Sequence, residues 1–274
     1  MAPHPAEPNG SAALTDHEPL IRLPMNTSSA FPISRAAPVS PISGNLAALR
    51  PLAEAAGLLA VLLLVNLGLW HGEPNAALAF RTGAMAEGHW WVPLTYPLVH
   101  VSLYHLVLDA GAFLYLWHAL GHLPCRRRWG LTLSASLGAL LFARIGVPDI
   151  HVLGLCGLSG PAHGLLAAVA LERIWSPRTD GSWPRRVGAI SLAILAAKVI
   201  CEAWTGDAFL GWLHPGDVGV PVAICHAGGV VGAAAAWVIW TWADHATDRY
   251  RRSGISRASR HPSYDTKARE AGIR

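Results

Sequence analysis

Residues 151–175 read HVLGLCGLSGPAHGLLAAVALERIW. Pro161 suits the first turn of a helix, and Gly157 and Gly160 disfavour an earlier start. A helix over 160–175 spans about 24 Å at 1.5 Å per residue, against about 30 Å of bilayer hydrocarbon. It is too short to cross alone. The preceding HVLGLCGLSG must therefore enter the bilayer as irregular backbone, which is tolerated only where protein or a water-filled cavity surrounds it. That backbone delivers Ser159 to the mouth of a helix, with His163 one turn further on. A serine beside a histidine in a wet cavity is a nucleophile arrangement, and amides at a helix N-terminus favour an oxyanion.

The surrounding composition places this stretch in a membrane protein. Of 274 residues, 52% are hydrophobic and 14% charged, against roughly 25% charged in a soluble domain. Twelve tryptophans outnumber five phenylalanines and five tyrosines, as expected where indoles sit at the headgroup level. Apolar segments of about 20 residues recur near 51–70, 103–121, 129–147, 160–175, 187–205 and 221–243. Residues 1–45 are rich in Pro, Ala and Ser and are expected to form a disordered cytoplasmic tail without a signal-peptide core. Residues 46–245 form the predicted membrane domain, and 246–274 a basic cytoplasmic tail.

Six spans with both termini inside put eighteen of the 21 Lys and Arg on one face, which is the positive-inside pattern. Arg81 alone falls in an outer loop. The net charge of +4 is then explained by topology and anionic lipid, and nucleic acid is not an expected partner. The predicted fold is all-α, a six-helix polytopic bundle, N-in and C-in. Four cysteines without CxxC spacing indicate neither zinc nor a redox pair. Cys156 and Cys225 flank the Ser159 and His226 positions, and a disulfide between them is not expected.

Ionisable groups within spans are costly and mark function. Here they are His105, Asp109, His118, His163, Lys198, Glu202 and His226. Lys198 and Glu202, four apart, are expected to pair with each other. His118 lies near the inner interface. His105, Ser159, His163 and His226 share one layer, about 7–8 Å below the outer surface, because segments two, four and six all run inward. Gly229 and Gly164 are expected to let segments six and four approach closely and bring His226 to Ser159.

These residues carry a family pattern. HVSLYHLVLD at 100–109, the tetrapeptide Gly157-Leu158-Ser159-Gly160 and His226 with Gly229 together resemble the rhomboid intramembrane serine proteases over residues 50–243. GLSGPAHGLL resembles the rhombosortase branch in particular. The resemblance implies a rhomboid-like bundle in the bacterial inner membrane with its active site toward the periplasm. It implies cleavage of a membrane-anchored exported protein at a transmembrane or GlyGly-type C-terminal sorting segment. The lipid bilayer is the other expected partner.

In that frame Ser159 is the nucleophile and His226 the general base, a dyad with no third carboxylate evident. His105, Asp109, Gly157, Leu158 and His163 support the oxyanion and the base, and Gly160, Gly164 and Gly229 serve helix packing. The family carries Asn where this chain has Asp109. An unpaired carboxylate there favours the neutral acid, a hydrogen-bond donor. His163 is expected to stack on His226, with a role as rival base left open. The loop 71–102, with Trp90 and Trp91, is the expected interfacial element beside the site. No cofactor and no metal are expected, since HExxH is absent. The alternatives are a catalytically inactive rhomboid-like binding protein and, less well matched, a metal-dependent enzyme or a transporter.

Overall fold

A computed structural model describes residues 41–176 and 181–258 of the chain. The proposed tail at 1–45 falls outside the described residues up to position 40, as does 259–274 at the other end. The helices are α1 (Pro41–Val65), α2 (Val92–Thr95), α3 (Leu103–Ala119), α4 (Cys125–Gly146), α5 (Ile150–Leu153), α6 (Ser159–Trp175), α7 (Ser182–Thr205) and α8 (Ile224–Ala258). Among the described residues there is no strand beyond one isolated antiparallel bridge, Phe80 with Leu155.

Among the described residues three helices are long and apolar enough to cross a membrane: α4, α7 and the Ile224–Tyr250 stretch of α8. A fourth span results if Val92–Leu98 and α3, bent by 98° to one another, are taken together. α3 and α6 have 17 residues each, about 25 Å of helix, shorter than a bilayer core.

Helix ends differ from the hydropathy pattern for local reasons. The first apolar run continues to Trp70, but α1 stops at Val65 and a 3-10 turn, Leu67–His71, ends at Gly72 in the left-handed region. Asn66 makes this corner. Its buried amide donates to the carbonyls of Leu62 (2.8 Å) and Leu98 (2.7 Å) and its oxygen accepts from the His100 amide (2.9 Å). One polar side chain thus ties the end of α1 to the approach to α3, where unpaired amides would be costly. At the far end, α8 runs to Ala258 rather than ending near 243.

The basic run 126–128 does more than set topology. α4 begins at Cys125, so all three arginines are helical. Arg128 is buried, pairs with Glu54 and lies over the Trp117 ring, while Arg127 bonds Asp244 at 2.5 Å. Pairing is what makes a buried guanidinium tolerable.

α8 packs against α4 and α6, and α6 is also flanked by α3 and α7. Glycine makes the crossings. A Cβ on Gly229 would overlap the Gly160 carbonyl, and one on Gly164 would lie 2.6 Å from the Gly229 oxygen. Gly228 and Gly138 stand in the same relation across α8 and α4. The expected approach of the fourth and sixth segments is therefore present. Gly229→Val should destabilise the fold by about 1–3 kcal/mol or more through overpacking, read as a lower thermal midpoint in detergent. An unchanged midpoint would mean that the helices can separate freely.

Candidate active site

The loop before α6 is held as firmly as the helix. Phe80 and Leu155 exchange both backbone hydrogen bonds (3.0 and 2.9 Å). The Gly157 amide donates to the Tyr96 carbonyl at 3.1 Å, and the Tyr96 hydroxyl donates to the Ser136 carbonyl of α4 at 2.7 Å. Gly157 sits at φ +99°, and a Cβ there would lie 2.9 Å from the Asp109 carboxylate and the His105 ring. Both the dihedral and the space require glycine. Leu158 caps α6 and Ser159 opens it. The amides of Ser159 and Gly160 then have no intrahelical acceptor, and Pro161 has no amide to offer.

A cavity of about 360 Å³ opens on Ser159. Its walls include His105 and Asp109 of α3, Ser159 and His163 of α6, Lys198 and Glu202 of α7, and Cys225 and His226 of α8. Four helices thus converge at one end of the bundle. Arg126–Arg128, Arg173, Arg185 and Arg186 lie at the opposite ends of α4, α6 and α7. Residues from the segment 208–222 between α7 and α8 complete the wall of the cavity. That segment is fastened to the start of α3, where the Ser102 hydroxyl donates to the Asp217 carbonyl. The 71–102 loop acts mainly by holding the loop before α6. Trp90 is exposed and Trp91 donates to the Ala77 carbonyl at 3.2 Å, neither reaching the cavity.

The base side of the site departs from a dyad. His226 Nδ1 lies 2.8 Å from Glu202 Oε2. An ionised carboxylate only accepts, so in a neutral imidazole this contact puts the proton on Nδ1 and leaves the lone pair on Nε2. Glu202 is 1% exposed, and its other oxygen accepts from Lys198 Nζ at 2.5 Å and from the Phe209 amide at 3.0 Å. The expected Lys198–Glu202 pair forms, and Glu202 also reaches His226, a carboxylate contact not evident from the sequence. Glu202 stands one turn short of the C-terminal end of α7, beside His226. Applying the depth count to segment five as well as to the inward-running helices would have found it.

His163 stacks on His226 with centroids 4.0 Å apart and planes 14° apart. Its Nδ1 lies 2.7 Å from the Ser159 carbonyl oxygen, which ties the ring to its own helix. Ser159 Oγ does not hydrogen-bond to His226, contrary to expectation; its polar neighbour is Cys225 Sγ at 4.0 Å. The His226 ring is held by Glu202 and the His163 stack, while the Ser159 hydroxyl faces Cys225. Catalytic hydrogen bonds are often long in the absence of substrate.

Asp109 is not the unpaired carboxylate expected. Its Oδ2 lies 3.1 Å from His105 Nε2 and 3.6 Å from His100 Nε2. His100 is fully buried, edge-on to the His105 ring at 5.1 Å. The imidazoles stand beside the carboxylate oxygen without hydrogen-bond geometry to it, and Asp109 is placed to hold His105 in position. Asp109→Ala should lower kcat on the order of 10-fold or more if His105 serves the oxyanion, with Asp109→Asn retaining most activity because its oxygen still faces the ring. Wild-type kinetics in Asp109→Ala would remove His105 and Asp109 from the chemistry.

His163, Glu202 and His226 bring three ligand atoms within 4.8 Å of one another. The Lys198 ammonium, 2.5 Å from Glu202 and 3.5 Å from His226 Nδ1, already supplies the positive charge this cluster needs. With that ammonium and the Glu202–His226 hydrogen bond in place, the donor set fits a hydrogen-bond network better than a metal. All four cysteines are free thiols. No family model, no curated protein and no solved structure matches the chain.

Proposed function

We propose that this chain is a membrane-embedded serine endopeptidase of the rhomboid type, close to the rhombosortases. It would have six membrane segments, both termini inside and the catalytic cavity facing outward. The single observation that carries this is the convergence of Ser159, at an α6 N-terminus with free amides, and a carboxylate-held His226 on one cavity of about 360 Å³. The position of the arginines at the opposite helix ends supports the orientation.

Ser159 Oγ would attack the substrate carbonyl as His226 Nε2 takes its proton. Glu202 would hold His226 in the required tautomer and stabilise the imidazolium that forms. The Ser159 and Gly160 amides would receive the oxyanion, with His105 beside them. His226 would then return the proton to the leaving amine, and water would repeat the sequence to release the acyl group. The substrate would be an exported, membrane-anchored protein cut at a transmembrane or C-terminal sorting segment.

The test is labelling of the full chain, in detergent or liposomes, with a fluorophosphonate, with and without EDTA. Labelling confined to Ser159 and unaffected by the chelator is expected. Absence of labelling, or its loss with EDTA, overturns the serine mechanism.

A further inference from the structure

Lys198 is the one charged group in the cavity that the proposed chemistry leaves unused. It lies mid-helix in α7, within an apolar stretch long enough to span a membrane. Its side chain is 27% exposed. Ordinary attraction to a partner accounts for a Lys–Glu pair at i, i+4 on a helix surface. It does not account for a pair whose carboxylate is 1% exposed and has a second task.

The division of the Glu202 carboxylate is the informative feature. Oε2 faces His226 Nδ1, and Oε1 takes both the Lys198 ammonium and the Phe209 amide. A buried carboxylate without a compensating charge is costly and would turn or neutralise itself. Either change withdraws Oε2 from the imidazole. Lys198 thus secures two things at once: the negative charge on Glu202, and the rotamer that points Oε2 at the base. The ammonium is 3.5 Å from His226 Nδ1, a nitrogen already committed to Glu202.

We infer that Lys198 is a positioning residue for the base, acting through Glu202 as its fixed counter-charge. The inference rests on the serine endopeptidase reading and extends it to a Lys198–Glu202–His226 chain of contacts across α7 and α8, which holds the base for Ser159. No proton passes to or from Lys198 in this scheme; it orients and neutralises. Because it does not touch the reacting atoms, its removal should slow acylation and leave probe binding unchanged. A lysine that instead contacted substrate would show itself in binding.

The experiment measures the fluorophosphonate acylation rate and half-saturating concentration for wild type and for Ser159→Ala, Lys198→Met, Lys198→Arg, Glu202→Gln and Lys198→Met/Glu202→Gln, all as full chains in liposomes. Lys198→Met should lower the maximal rate about 10- to 100-fold, the range seen when supporting partners of active-site groups are removed, with half-saturation unchanged. Lys198→Arg should recover much of the loss because it restores the charge. In the Glu202→Gln background, Lys198→Met should cost at most about twofold more, since residues acting as a unit are not additive.

A wild-type rate in Lys198→Met, a change in half-saturation alone, or losses that multiply in the double variant would each overturn the inference. If Lys198→Met fails to fold, the double variant decides. Its recovery supports the counter-charge role, because removing both partners leaves no buried charge, and its failure to fold assigns Lys198 to scaffold alone. Labelling that is absent in wild type, or equal in Ser159→Ala, brings down the serine endopeptidase reading itself and the inference with it.

Discussion

Ser159→Ala and His226→Ala are each expected to remove proteolysis and fluorophosphonate labelling, by about 10⁴-fold or more, and the double variant should be no worse than either. The reason is that the oxygen nucleophile and its base act as one unit, so the loss of either leaves only binding and the oxyanion donors. The two variants differ in their effect on the fold. Ser159 Oγ has only the distant Cys225 thiol as side-chain partner, so its removal should leave the thermal midpoint nearly unchanged. His226 is the partner of Glu202 Oε2, and alanine there strands one oxygen of a buried carboxylate, which costs stability as well as activity. His226→Gln, which can still donate to Glu202, should fold better than His226→Ala while remaining inactive. Cleavage of a membrane-anchored reporter by either Ser159→Ala or His226→Gln would sink the assignment.

Glu202→Gln should lower kcat/KM by about 10³–10⁴-fold, the order lost when the carboxylate behind a catalytic histidine becomes an amide in serine proteases. The amide can turn its NH₂ toward Nδ1 and so put the imidazole proton on Nε2, where the base needs a lone pair. It also withdraws the charge that stabilises the imidazolium formed in the first step. Glu202→Asp keeps the charge but shortens the reach, and should fall between Gln and wild type. The measurement is steady-state cleavage of the same reporter beside fluorophosphonate acylation. A Glu202→Gln enzyme at wild-type rate would return the site to a Ser159–His226 dyad and leave Glu202 as a partner of Lys198 only.

Much of this arrangement was legible without coordinates. Low charge, high apolar content and the tryptophan excess follow from the solvent in which the chain lives, and hydropathy reads them residue by residue. The short fourth helix followed from Pro161 and the glycines around it, because their effects on backbone are local. The gathering of His105, Ser159, His163 and His226 on one cavity was anticipated from helix rise along the chain. The stacking of His163 on His226 and the glycine-lined approach of α6 to α8 were both anticipated on the same footing.

Tertiary structure alone decided who partners whom within that layer. Lys198 and Glu202 are one turn apart and satisfy each other locally, so nothing in their spacing shows that the second carboxylate oxygen turns across to α8. Asp109 looks unpaired along its own helix except for His105, and the buried His100 ring that stands 3.6 Å from it comes from the loop before α3, whose His100 amide is held by Asn66. Ser159 looks poised for His226, yet the histidine is held from the α7 side and the serine faces Cys225. Periodicity and depth locate a residue along its helix and on a face. The rotation of neighbouring helices about their own axes, set by glycine contacts and side-chain packing among four separate segments, determines which polar groups meet.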